Sequence, residues 1–111
     1  MKVTGIETFV VKGLTRPWLF CAIHTDEGIT GYSEFGQGQM AKGMCGLVED
    51  LSALIIGKDP RPVERHYINV ARAVQSAYGG ATWQAMAGIE LALWDIKGKA
   101  LGVPVYELVG G

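Results

Sequence analysis

The sequence predicts an α+β domain, a three-stranded antiparallel meander followed by a three-helix bundle. The N-terminal part is built of short runs rich in Val, Ile, Thr and Phe, separated by turn residues. After it the apolar side chains change to a spacing of three and four, the period of helices. The two patterns are segregated rather than alternating, which argues against a parallel sheet with crossover helices. The 111 residues, 49% of them hydrophobic, are enough for a single core and fit one domain spanning residues 1–111.

Residues 2–12 form the first expected strand, closed by Gly13. Residues 13–17 are a loop with turn residues at both ends, and Pro17, lacking an N–H, is expected to stay out of the ladder. Residues 18–25 follow as a strand with Trp18, Phe20, Ala22 and His24 on one face and Leu19, Cys21, Ile23 and Thr25 on the other. Both faces are largely apolar, so both are expected to be covered. Asp26-Glu27-Gly28 makes a tight turn into a third strand at 29–35. Gly36-Gln37-Gly38-Gln39 then breaks the pattern, its glycines admitting a turn or the close approach of a ligand.

The first helical stripe comprises Met40, Met44, Leu47, Val48, Leu51, Leu54 and Ile55, weakened by Gly43 and Gly46 and ended by Gly57. Asp59-Pro60 has the form of an N-cap followed by proline at the first helical position. Val63, Tyr67, Val70, Val74 and Ala77 supply the second stripe. The third helix begins near Ala81 and is stopped by Leu101-Gly102-Val103-Pro104. On it, Met86, Ile89, Leu93, Ile96 and Ala100 form one apolar line and Ala87, Leu91, Trp94 and Leu101 another. A helix apolar on two sides needs packing partners on both. Asp95 and Lys99, four apart in the favourable order, support it.

Composition excludes several classes of function. A net charge of −1 offers no field for nucleic acid or anionic lipid. No apolar run reaches the roughly 20 residues of a membrane span, and the N-terminus is too polar for a secretory leader. Cys21 and Cys45 lack CxxC spacing and read as buried thiols of a cytoplasmic protein. No nucleophile elbow, P-loop, dinucleotide fingerprint or metal-binding histidine pair occurs, and no catalytic or metal-ligating residue is assigned. Glu90 and Asp95 are about 140° apart in helical projection and cannot serve one small substrate together. His24 and His66 are each read as structural or solvated. Chemistry points to loops: Arg16 and Trp18 flank the rigid Pro17 and suit anionic or polyhydroxylated ligands, while Gln37, Gln39 and Met40 occupy the second loop.

AMAGIELALWDIKGKALGVPVYELVG, at 85–110, resembles the N-terminal signature of the mandelate racemase/muconate lactonizing branch of the enolase superfamily, hydrophobic-acid-x-A-L-W-D followed by GK and a proline turn. TDEGITGYSEF resembles the family's second hairpin, with Tyr32-Ser33 where Trp-Gly is commoner, and LIIGKDPRPVE the segment joining its first two helices. The resemblance implies a capping domain over the mouth of a (β/α)₇β-barrel absent from this sequence. That barrel carries the carboxylates that bind Mg²⁺ and the bases that remove a proton α to a carboxylate; no cofactor falls to this chain. The implied partners are the C-terminal barrel, a small carboxylic-acid substrate and further copies of the complete enzyme.

Loops 13–18 and 35–40 correspond to the family's substrate-closing loops, which makes Arg16, Trp18, Phe35, Gln37 and Gln39 the candidate site residues. The TDEG, GKDP and WDIKGK segments are most similar to those of acid-sugar, galactonate-type dehydratases. Racemase, epimerase or cycloisomerase chemistry is the alternative within the family. A stand-alone interaction module binding through the second face of the long helix is the alternative outside it.

Overall fold

The computed structural model describes residues 1–38 and 40–111, with Gln37 described by its backbone alone. Strands β1 (Val3–Lys12), β2 (Pro17–Thr25) and β3 (Thr30–Gln37) form one antiparallel sheet in the order β1-β2-β3. Helices α1 (Ala41–Ser52), α2 (Val63–Ala73) and α3 (Gly80–Leu101) follow, then a single turn α4 (Val105–Leu108). The expected α+β architecture is the one observed.

The β2–β3 turn forms because Gly28 takes φ +76° and Thr25 Oγ1 both accepts from Ile29 N (3.2 Å) and donates to its carbonyl (2.8 Å). Cross-strand pairs Ile6–Ile23, Thr8–Cys21 and Val10–Leu19 set the register of the inner face. Leu19, Cys21 and Ile23 from β2 are buried there under Met44, Val48 and Leu51 of α1 and Met86, Ile89, Leu93 and Ile96 of α3.

Two glycines let α3 settle on the edge strand β3. A Cβ at Gly31 would fall on the carbonyl oxygen of Ala92 and 2.7 Å from Ile96 Cγ1, and one at Gly88 would stand 2.9 Å from Phe35 Cγ. Polar contacts close the same seam. Ser33 Oγ donates to Gly88 O (2.6 Å), Tyr32 N donates to Asp95 Oδ2 (2.8 Å), and Lys99 Nζ donates to Thr30 O and Asp95 Oδ2 (both 2.7 Å). The expected Asp95–Lys99 pair exists, and it also caps amide and carbonyl groups along the edge of the sheet.

Several local expectations are corrected. Pro17 pairs with Lys12 as the first residue of β2, a position where a missing N–H costs nothing, and its carbonyl accepts from Gly38 N (3.0 Å). β3 runs on through Gly36 to Gln37, with a bulge between the Leu19 and Phe20 pairings, and the chain turns at Gly38 (φ +98°). Met40 is 81% exposed, lying in left-handed conformation before α1 rather than on its apolar stripe.

Asp59-Pro60 is not a helix start. Arg61 folds back onto Asp59, donating from its backbone (3.0 Å) and guanidinium (2.6 Å from Nη2), and α2 begins only after Pro62. On α2 the buried line is Val63, His66 and Val70, with Tyr67 outside, and His66 Nε2–H donates to Asp59 O (2.6 Å). The outer face of β2 is only partly covered: Ala22 is buried, Phe20 and His24 are half-buried and Trp18 stays 38% exposed. Ala100, placed on the inner line of α3, is exposed.

Candidate functional site

Both candidate loops emerge at one end of the sheet, because β1 and β3 run toward that end and β2 away from it. The hydrogen bond from Gly38 N to Pro17 O ties their bases together. The first loop borders an open recess of about 440 Å³ lined by Val10, Lys12, Gly13, Leu14, Thr15, Arg16 and Pro17. Its only charged groups are the cations Lys12 and Arg16, and neither is ion-paired among the described residues. Such a recess favours an anion, and the planar guanidinium suits a carboxylate.

A second, mostly apolar groove of about 560 Å³ lies beside the other loop, between the N-terminal ends of α1 and α3, with Leu19, Met40, Met44 and Leu47 as walls and Gln84 as its polar side chain. Arg16 is on the exposed loop tip. Trp18 packs its indole against Gly13 on the outer side and lines neither opening. Phe35 is 5% exposed and belongs to the core beside Gly88. Gln37 closes β3, and Gln39 lies outside the described residues. The structure thus brings Arg16 and the end of β3 to one place and sends the Phe35 side chain elsewhere. Lys12 and Gln84 were absent from the sequence-derived candidates. Lys12 ends a strand and Gln84 belongs to a polar strip on α3, signals that do not single out a ligand contact.

Other polar side chains singled out from the sequence have neighbours within the fold. His24 bridges Glu7 and Thr30, meeting Glu7 Oε1 through Nε2 and Thr30 Oγ1 through Nδ1 (3.0 Å), on the outer face of the sheet. Glu90 lines a small pocket with His66, Tyr67 and Val70 of α2 and lies 3.4 Å from Trp94 Nε1, and Lys97 sits over the Trp94 ring, 4.9 Å from its centroid. Burial pushes the Cys21 thiol up to about 12, with Cys45 acting in the same direction, so Cys21 is no nucleophile. Hydrogen bonds from Arg61 hold Asp59 at about 2. Among the described residues no three His, Cys, Asp or Glu side chains come together in a way that could hold a metal ion, and no helix is long and apolar enough to cross a membrane.

A meander, a long helix docked on its edge strand and paired loops at one end define an enolase-type N-terminal α+β domain. Residues 6–110 match the family signature described as "Mandelate racemase / muconate lactonizing enzyme, N-terminal domain", and the chain belongs to that family. A D-galactonate dehydratase of Xanthomonas campestris pv. campestris (strain B100) is 43% identical over all 111 residues, which cover 28% of that protein. A crystal structure of an enolase from Agrobacterium radiobacter, provisionally described as a galactarate dehydratase and bound to Na and L-malate, superposes with a TM-score of 0.94 at 28% identity. It covers 100% of this chain and 28% of that one. A Burkholderia xenovorans protein provisionally described as an L-alanine-DL-glutamate epimerase, bound to magnesium and fumarate, gives 0.92 at 35% identity, covering 99% and 27%. The chain therefore spans little more than a quarter of the length of these relatives.

Proposed function

We propose that residues 1–111 are the capping domain of a longer, Mg²⁺-dependent enzyme that removes the proton α to a carboxylate, and that this enzyme is an acid-sugar dehydratase. The observation that carries the reading is the 43% identity to D-galactonate dehydratase along the entire chain. The recess with Lys12 and Arg16 as its only charges supports it, being suited to the carboxylate of an aldonic or aldaric acid. In this reading Arg16, Lys12 and Gln37 meet the substrate, while Trp18 and Phe35 hold the loops that bear them.

Closing those loops orients the acid and excludes water, and the selectivity of the enzyme resides partly in them. Among the described residues no three His, Cys, Asp or Glu side chains come together, and in this reading the metal and the proton-transferring groups are supplied by a C-terminal barrel. The complete enzyme is read as a cytoplasmic homo-oligomer. The similarity to the Burkholderia epimerase favours one second reading, epimerisation in place of dehydration.

The test is a screen of the full-length protein, with Mg²⁺, against aldonic and aldaric acids and against dipeptides. Dehydration of D-galactonate or a related acid is expected. Turnover confined to dipeptides overturns the dehydratase reading in favour of the epimerase. The 111-residue chain alone is expected to turn over none of them, and turnover by it would place catalytic groups within these residues.

A further inference from the structure

The first loop is held from a side that faces neither opening. Three groups converge at its base. A Cβ built on Gly13 would lie 2.5 Å from the carbonyl oxygen of Arg16, 2.5 Å from Trp18 Nε1 and 2.7 Å from Trp18 Cδ1. Two of those contacts are with a bulky indole and the third with backbone, so a side chain at 13 fits only if the loop opens. Leu14, Thr15 and Arg16 between them are exposed and have no such anchor. The indole itself is well placed to act as a wedge. Trp18 sits in the β2 ladder between Val11 of β1 and Gln37 of β3, so its backbone is fixed on both sides. Pro17, immediately before it, receives the hydrogen bond from Gly38 N that joins the two loops.

We propose that Trp18 is a positioning residue: its indole, seated against a glycine that must have no side chain, fixes the turn from Gly13 to Arg16. That turn sets where the Arg16 guanidinium stands relative to the second loop. The inference rests on the reading that this loop closes over a carboxylic-acid substrate, and it assigns Trp18 no contact with that substrate.

The experiment uses the full-length protein and three variants, Trp18→Val, Gly13→Ala and the double substitution. Thermolysin cleavage at the exposed Leu14 reports the loop without any substrate, and the KM and kcat for D-galactonate report its effect on the reaction. Each single substitution is expected to speed cleavage and to raise KM several-fold with a smaller change in kcat. The double variant is expected to add little, because either substitution already opens the same contact. Unchanged cleavage in Trp18→Val overturns the clamp, and unchanged cleavage together with a loss of turnover marks Trp18 as a substrate contact instead. Faster cleavage with unaltered KM leaves the clamp standing and sinks the reading of this loop as a substrate cover.

Discussion

At Gly31 the obstacle to a side chain is backbone, the carbonyl oxygen of Ala92, which cannot rotate aside as a flexible side chain would. Gly31→Ala is therefore expected to force α3 off β3 and to cost about 1–3 kcal/mol, or more if the seam does not relax. Gly43 on α1 is its counterpart: nothing lies within 4 Å of its Cβ position, so Gly43→Ala is expected to gain up to about 1 kcal/mol from helix propensity and a stiffer unfolded chain. Urea denaturation of the two variants should move in opposite directions. Cys21 makes a separate claim. Its thiol is raised from an ordinary value of 9.0 to about 12 by burial, so the protonated form is favoured in the folded state. The resulting stabilisation is complete below pH 9 and is lost as pH rises toward 12, with a slope of at most about 1.4 kcal/mol per pH unit. Denaturation curves at pH 8 through 11 should show this excess alkaline sensitivity in the parent and its removal in Cys21→Ala. For Asp59 the sign is reversed. Its carboxyl is lowered to about 2 by Arg61, so the small contribution of this exposed pair is present above about pH 4 and lost as pH falls toward 2.

The seam between α3 and β3 joins the sheet to the helices, and Asp95 is its polar centre, accepting from Tyr32 N and Lys99 Nζ. Asp95→Ala removes both contacts and is expected to cost about 1–2 kcal/mol, reduced from the value for a buried charged acceptor because the side chain is 28% exposed. Lys99→Met should cost less, since it leaves the Tyr32 bond intact, and thermal denaturation of both variants checks the order. Element order and type were legible in the sequence because apolar periodicity is a local property: the change from strand to helical spacing after residue 40 needs no knowledge of partners. Element ends were not legible, because they depend on what the chain meets. Pro17 joins the ladder because Lys12 and Gly38 receive it there, and β3 passes Gly36 because Leu19 and Trp18 continue to pair with it. The N-cap reading of Asp59 failed because Arg61, two residues on, competed for the same carboxylate. For His66, read as structural or solvated, the choice also depended on what it meets: the Asp59 carbonyl accepts from its ring and lets it be buried at 5% exposure. Whether a residue bordering a loop faces ligand or core depends on which face of its strand is covered: Phe35 is buried in step with Gly31 and Ser33, the alternate positions of β3 that α3 covers, so its place beside the second loop does not make it a ligand contact.

At the scale of the molecule the two apolar sides of the long helix are covered unequally. The side of Met86, Ile89, Leu93 and Ile96 is buried on the sheet and the other two long helices, whereas Leu91 is 51% exposed and Leu101 is open on the opposite side. Trp94 is intermediate, its indole partly shielded by Glu90 and Lys97 rather than fully open. Apolar side chains standing in water along one helical stripe are costly to maintain unless something covers them, and this chain accounts for 28% of the length of the D-galactonate dehydratase it resembles. The consequence is an effect that depends on context. In the 111-residue chain alone, Leu91→Glu replaces one exposed side chain by another and is expected to change stability by no more than about 0.5 kcal/mol. In the longer enzyme proposed above, where a further domain would cover this face, the same substitution would place an unpaired carboxylate against it, and a loss of about 2–4 kcal/mol is expected. Parallel denaturation of the two forms, with and without the substitution, reads this difference directly. Equal and small effects in both would show that the second face of α3 is solvent-exposed throughout, and the helix would then need another account of its two apolar sides.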